Sequence, residues 1–249
     1  MKALTIILLS LISCLGEVEL LSCEVIREIP RKHHGFTQGL FILDGKLYES
    51  CGLYGQSLIR RIDLAGQSLE LSKSLPDHIF AEGLTPIGDQ QMVQITWQEK
   101  TAIVYDREHI NVQKVFKYET EGWGIAHSGD QLVMSDGSST LTFRSPQTFQ
   151  PLKRVQVTLN GSPVKKLNEL EWVNGYIYAN VWHEDYIVKI QPESGKVVAI
   201  IDCSQLLRKP LSDSEAVLNG IAYDASSDTF YLTGKLWPSL FQVRFSAAR

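Results

Sequence analysis

The sequence predicts an all-β fold built from five copies of one strand–turn–strand unit, and three observations carry that prediction. The unit recurs as "HHGFTQGL" and its continuation, "AEGLTPIGDQQMVQITW", "EGWGIAHSGDQLVMSDG", "LNELEWVNGYIYANVW" and "LNGIAYDASSDTFYLTGK". Each copy runs from a polar or glycine start through a short apolar run, a turn and a second apolar run, the pattern of a β-hairpin. The residue after each hairpin start, Gly39, Gly83, Gly124, Glu169 and Gly220, recurs at intervals of 44, 41, 45 and 51 residues. A period of roughly 40–50 residues is that of a four-stranded propeller blade. Finally, the last copy stops one strand short of the others, while an unpartnered strand stands near the N-terminus. The expected fold is a five-bladed β-propeller whose last blade is closed by the N-terminal strand.

The elements follow in chain order. "MKALTIILLSLISCLGEVELLSC" opens with one Lys before a mostly apolar stretch from Ala3 to Leu15 broken only by Thr5 and by Ser. That is the length of a signal-peptide core and too short for a bilayer span. Residues 1–22 are therefore expected to be a signal peptide, and residues 23–249 one propeller domain without internal linkers. Export to the periplasm or the medium follows. A minority reading takes "LISC" at Leu11–Cys14 as a lipoprotein box that leaves Cys14 acylated. "CEVIREI" (Cys23–Ile29) alternates apolar and polar residues and fits as the missing outer strand of the last blade. After each inner hairpin comes an outer pair: "SLIRRIDLAGQSLELSKSL", "TAIVYDREHINVQKVFKY", "TLTFRSPQTFQPLKRVQV" and "YIVKIQPESGKVVAIID". The fifth, "SLFQVRFSAAR", offers a single strand and needs an edge partner.

Composition excludes several function classes. A formal net charge of -4 with scattered Lys and Arg supplies no basic stripe for nucleic acid. No later segment is apolar and long enough to span a membrane. Cys23, Cys51 and Cys203 remain after the leader, without CxxC or zinc spacing. Placing Cys23 at the start of the closing strand, on the face opposite Cys51, and Cys203 at the end of a blade-four strand predicts no intramolecular disulfide. A monomer is expected.

Antiparallel hairpins bring their first and last residues to the same end. The starts Gln38, Glu82, Trp123, Asn168 and Asn219 therefore share one face with the exits Trp97, Asp136, Trp182 and Lys235. The turns "LDGK", "IGDQ", "SGDQ", "VNGY" and "ASSD" occupy the other face. The mouth so formed holds one carboxylate (Glu82), one ammonium (Lys235), the carboxamides of Gln38 and Asn168, and a wall of Phe36, Phe80, Trp97, Trp123 and Trp182. Aromatics around a few convergent polar groups suit a small ligand. A Glu among aromatic rings has a raised pKa, fit for proton transfer near neutrality.

The segments "FTQGL", "ESCGLYGQS", "FAEGLT", "TWQEKTAIVYD", "EGWG", "LNELEWVNGYIYANVW" and "LNGIAYD…FYLTGKLWP" together resemble the plant-type glutaminyl-peptide cyclotransferases, a family also found in bacteria. The resemblance runs from about Phe36 to Phe241, and it too implies a five-bladed propeller. Cys51 departs from it, standing where the family pattern has Thr. The resemblance implies a metal-independent aminoacyltransferase that converts the N-terminal Gln of peptides or proteins to 5-oxoproline with release of ammonia. By that likeness Glu82 is the general acid/base, Asn168 and Lys235 polarise the γ-amide, and Gln38 with the five aromatics binds the substrate. No cofactor is expected, and the question of a structural ion in the channel is left open.

Two rival readings stand beside this one. A calcium-dependent lactonase would need several oxygen ligands around a hard cation. The mouth offers only Glu82, Asp136, Asn168 and Asn219, with Lys235 opposing a cation. A non-catalytic peptide-binding propeller would use the same aromatic cup but has no reason to gather Glu, Asn and Lys. The histidines of "KHH" (Lys32–His34) and "WHED" (Trp182–Asp185) lack partners at ligand spacing and read as surface or loop-fixing residues.

Overall fold

The computed structural model of the protein describes residues 18–207 and 211–248, all of them strand, turn or loop. Most of the expected leader lies outside these residues. Its last five positions do not, and four of them begin strand β1 (Glu19–Pro30), which is longer than the Cys23–Ile29 segment read from the sequence.

Three four-stranded antiparallel sheets follow in chain order. The first holds β2 (Thr37–Leu43), β3 (Lys46–Cys51), β4 (Leu58–Asp63) and β5 (Leu69–Ser74). The second holds β6 (Ala81–Ile87), β7 (Gln91–Thr96), β8 (Thr101–Asp106) and β9 (Val112–Lys117). The third holds β10 (Ile125–His127), β11 (Leu132–Met134), β12 (Thr140–Arg144) and β13 (Pro151–Gln156). A two-stranded ribbon of β14 (Thr158–Leu159) and β15 (Ser162–Pro163) leads on. The remaining strands are β16 (Leu167–Val173), β17 (Tyr176–Val181), β18 (Tyr186–Ile190), β19 (Val197–Asp202), β20 (Leu218–Asp224), β21 (Thr229–Gly234) and β22 (Ser239–Ala247). With β1 they form one eight-stranded sheet in the order β16-β17-β18-β19-β1-β22-β21-β20.

That order shows how the chain ends meet. β1 pairs antiparallel with β22 from Leu21↔Ala247 to Pro30↔Ser239, the partnership that the truncated fifth copy called for. Its extra N-terminal residues also run parallel to β19, from Glu19↔Ala199 to Ser22↔Asp202. The first strands of the repeats pack in a ring: β2 on β6, β6 on β10, β10 on β16, β16 on β20, and β20 back on β2.

The repeat spacing reflects what this packing requires. Strand faces carry alternating apolar residues, and successive sheets bury them against each other. Phe41 and Ile59 meet Leu84 and Met92; Val93 and Ile95 meet Ile125 and Leu132; Ala126 and Val133 meet Leu170 and Ile177. Tyr178 and Ile187 then meet Ile221 and Phe230, and Leu40 with Leu47 meets Ala222 and Tyr231, which completes the circuit. Each large side chain so buried contributes roughly 1.5–3 kcal/mol.

The repeated glycine marks the point where inner strands touch. A Cβ at Gly39 would strike the backbone of Leu84, and one at Gly124 would strike the carbonyl of Asn168. The same point carries an irregular register in β2, β6, β16 and β20, between Thr37 and Gly39, Ala81 and Leu84, Leu167 and Leu170, and Leu218 and Ile221. Such bulges re-aim side chains at the end of a strand. In the turns at the other end, Asp44–Gly45 and Asn174–Gly175 take positive φ at both positions, as tight hairpins of this twist demand.

Glu169 occupies the marker position where the other copies have glycine. Its carboxylate lies fully buried between three inner strands, accepting the N–H of Leu40 at 3.2 Å and of Ile221 at 2.8 Å. Burial pushes its pKa well above the ordinary carboxylate range, with Glu171 adding to the rise.

A buried ionic cluster locks the closure near the site face. Glu49 on β3 receives Arg31 Nη2 at 2.6 Å and Arg60 Nη2 at 2.7 Å, and accepts the Thr37 hydroxyl at 2.6 Å. Arg31, just beyond β1, also donates to Thr233 Oγ1 on β21 at 3.0 Å. Burial alone would raise the Glu49 pKa, but the two guanidiniums and the hydrogen bonds hold it at about 2.

Candidate active site

One cavity of about 300 Å³ opens where the inner hairpins begin and end. Its wall is made by Phe36, Gln38, Phe80, Glu82, Trp97, Trp123, Asn168, Trp182 and Lys235, together with Leu53 and Glu215. All nine side chains picked out from the sequence thus face one space. The bulges in β2, β6 and β16 deliver Gln38, Glu82 and Asn168 there, while Trp97, Trp182 and Lys235 stand just past the ends of β7, β17 and β21.

The aromatics interlock. Phe80 meets Phe36 and Trp97 edge-on, with ring centroids 6.2 and 5.5 Å apart, and Trp123 meets Trp182 at 5.5 Å with the planes 88° apart. Edge-to-face pairs hold rings rigidly at low cost. Glu121 fixes the orientation of two indoles: the same carboxylate oxygen accepts Trp97 Nε1–H at 2.8 Å and Trp123 Nε1–H at 3.1 Å.

The polar groups form a directed chain. Asn219 Nδ2 donates to Gln38 Oε1 at 3.1 Å, and Gln38 Nε2 donates to Glu82 Oε1 at 3.1 Å. Gln38 therefore presents its N–H to a carboxylate, and its orientation is set from behind. Lys235 Nζ lies 4.7 Å from the Phe36 ring centroid and 6.0 Å from that of Trp182, which places its charge over π-faces. Two groups lining the cavity are buried with no hydrogen-bond partner among the described residues: Asn168 Oδ1 and Trp182 Nε1. A buried acceptor and a buried donor left open suit a ligand that carries both.

Electrostatics tune the two ionisable groups toward each other. Burial raises the Glu82 carboxyl well above its ordinary value; Lys235 opposes that rise, and Glu121 and Glu99 add to it. Burial lowers the Lys235 ammonium, with Glu82 and Glu215 opposing. Desolvation thus moves an acid and a base toward the neutral range from opposite sides.

Several residues fall elsewhere than the sequence suggested. Asp136 does not line the cavity; its carboxylate caps its own turn by accepting the Ser138 N–H at 3.1 Å. Asn219 supports Gln38 from behind and does not reach the mouth directly. The mouth also has a second carboxylate, Glu215, whose oxygen lies 3.4 Å from His183 Nε2. Glu121 was legible only as part of "EGWG", since nothing in the strand pattern says where an exposed-looking Glu before a Trp will point. Leu53 and Glu215 lie in loops, outside any periodic signal. Among the described residues no group of three or more His, Cys, Asp or Glu is placed to hold a metal ion, and no helix is long and apolar enough to cross a membrane.

An all-β ring with an aromatic-walled pocket, one perturbed carboxyl and one perturbed amine defines an enzyme-type site for a small polar group. A family model described as glutamine cyclotransferase matches residues 4–245, and the chain belongs to that family. A glutaminyl-peptide cyclotransferase of Arabidopsis thaliana is 39% identical over 230 residues, spanning 90% of this chain and 72% of the relative. The crystal structure of Myxococcus xanthus glutaminyl cyclase superimposes with a TM-score of 0.87 at 38% identity, covering 94% of this chain and 100% of that one.

Proposed function

We propose that this chain is a glutaminyl-peptide cyclotransferase, converting the N-terminal Gln of peptides or proteins to 5-oxoproline and ammonia on a five-bladed propeller. The observation that carries the reading is the joint burial of Glu82 and Lys235 in one aromatic cavity that also holds an open acceptor, Asn168 Oδ1, and an open donor, Trp182 Nε1.

The substrate's α-amine nitrogen attacks its own γ-carboxamide carbon, and the C–N bond to the leaving nitrogen breaks. Attacker and target share one residue, so holding the bent conformer supplies much of the acceleration. The cup of Phe36, Phe80, Trp97, Trp123 and Trp182 excludes water around that conformer. Glu82 takes the proton from the attacking amine and passes one to the departing ammonia, a shuttle that its raised pKa favours. Asn168 and Lys235 position the γ-amide and stabilise the oxyanion. Gln38, fixed by Asn219, aligns Glu82 and the substrate.

Ammonia release from a Gln-initiated dipeptide tests the reading. Glu82→Gln is expected to lower kcat by about 10²–10⁴, with a smaller change in KM. Lys235→Met should lower kcat as well, and activity should survive a chelator, unlike that of a calcium-dependent lactonase. Near-wild-type turnover by Glu82→Gln would refute the acid/base assignment. A wild-type protein that binds the dipeptide but releases no ammonia would favour a binding propeller.

Export and a monomeric state complete the proposal. The pairing of Glu19–Ser22 with β19 supports a mature chain that keeps these residues. Cleavage therefore falls before Glu19, within the expected 1–22 leader, and N-terminal sequencing of the exported protein checks it.

A further inference from the structure

The sequence suggested that the three cysteines stand apart, and the fold brings two of them together. Cys23 and Cys203 are 180 residues apart in sequence, yet their Sγ atoms lie 2.7 Å apart. The register explains why. β1 starts at Glu19, so Cys23 sits mid-strand rather than at the far face. The parallel ladder ends at Ser22↔Asp202, and Cys23 and Cys203 are the two residues that immediately follow this last pair. Neighbours on adjacent strands have Cα atoms within the 4.4–6.8 Å window of a disulfide. Both side chains are buried, beside Ile201, Leu206 and Trp237, and Gln205 Nε2 donates to the Cys23 carbonyl at 2.7 Å, tying the following loop to the same strand. Cys51 is remote from both, packed against Gly35 on the site side of the first sheet.

We propose that Cys23 and Cys203 form a disulfide in the mature protein, a covalent staple that fastens the ring-closing strand to the sheet beside it. The proposal rests on the export reading, because the oxidant is a thiol–disulfide exchange partner of an oxidising compartment: an oxidoreductase disulfide or oxidised glutathione. One cysteine thiolate attacks a sulfur of that disulfide, forming a mixed disulfide and releasing the partner's first thiolate. The second cysteine then attacks the mixed disulfide, forming the Cys23–Cys203 bond and expelling the partner's other thiol. Two protons and two electrons pass to the partner. Cys203 lines a cavity of about 250 Å³ with Asp185, Ser204, Leu207 and Trp237, so it is the sulfur a partner reaches first. Burial and the adjacent Cys23 push its thiol pKa up, so exchange is slow once the strand has docked. The bond therefore forms while β1 is closing the ring.

The test is peptide mapping of the exported protein, denatured and alkylated without reductant. The expected result is alkylation of Cys51 alone, with the Cys23 and Cys203 peptides joined and two hydrogens lighter than their sum. Reduction should lower Tm by roughly 5–20 °C. Cys23→Ser/Cys203→Ser should match the reduced wild type and lose that response. Alkylation of all three cysteines in exported protein would overturn the proposal. Should the protein prove not to be exported, refolding the cytosolic chain with oxidised glutathione still decides the matter. A Cys23–Cys203 bridge formed there supports the pairing, and free thiols at both positions overturn it.

Discussion

Glu49→Gln isolates the ionic lock at the ring closure. The wild-type carboxylate is fully buried, accepts Arg31, Arg60 and Thr37, and has its pKa held at about 2 against an ordinary 4.5. That difference corresponds to about 3 kcal/mol of preference for the charged form in the folded state. Glutamine keeps the shape but leaves two buried guanidiniums without a counter-charge. Breaking a buried pair in this way costs about 3–5 kcal/mol. For a chain of this size the loss corresponds to a Tm roughly 6–20 °C lower. Thermal unfolding followed by circular dichroism at pH 7 measures it. Because the folded pKa is depressed, this stabilisation is fully present above about 4.5 and disappears as the pH falls towards about 2. The gap between wild type and variant should therefore narrow over that window. Glu70→Gln, at the solvent-screened contacts with Lys46 and Arg61, should lower Tm far less than Glu49→Gln does. A Glu49→Gln protein melting within about 2 °C of wild type would refute the argument that this cluster fastens the closure.

Three further outcomes are expected. Deleting residues through Ile29 removes the edge partner of β22 and the buried side chains of Cys23 and Ile29, so Tm should fall by more than about 6 °C; an unchanged Tm would contradict closure by this strand. Glu121→Gln keeps an acceptor for the two indoles but removes a charge that raises the Glu82 carboxyl. The acid limb of the kcat profile should move to lower pH while KM stays close to wild type, and an unmoved limb would show that Glu121 does not tune Glu82. Glu121→Ala frees both indoles as well, and steady-state kinetics should show KM rising by roughly tenfold.

The period of the repeat and its apolar alternation determined most of the architecture and the composition of the mouth. Both are local properties. A hairpin's start and exit share an end whatever surrounds it, so Gln38, Glu82, Asn168 and the tryptophans could be assigned to one side from spacing alone. The missing fifth outer strand likewise pointed to Cys23–Ile29, because an unpaired edge has to be covered. Contacts that depend on register between distant strands were decided only by the tertiary structure. Arg31 meets Glu49 because the end of β1 is brought against β3 when the ring closes, where Glu49 already faces Arg60 across the β3–β4 ladder. Glu121 reaches both indoles because neighbouring sheets bring their loop ends together. Glu169 could replace glycine because its carboxylate finds the N–H groups of Leu40 and Ile221 on two other inner strands. Cys23 meets Cys203 because β1 begins four residues earlier than its alternation suggests and lies parallel to β19. Periodicity records which face a residue takes within its own strand. It carries no information on the phase between strands 180 residues apart, which is set when the sheets pack and the ring closes.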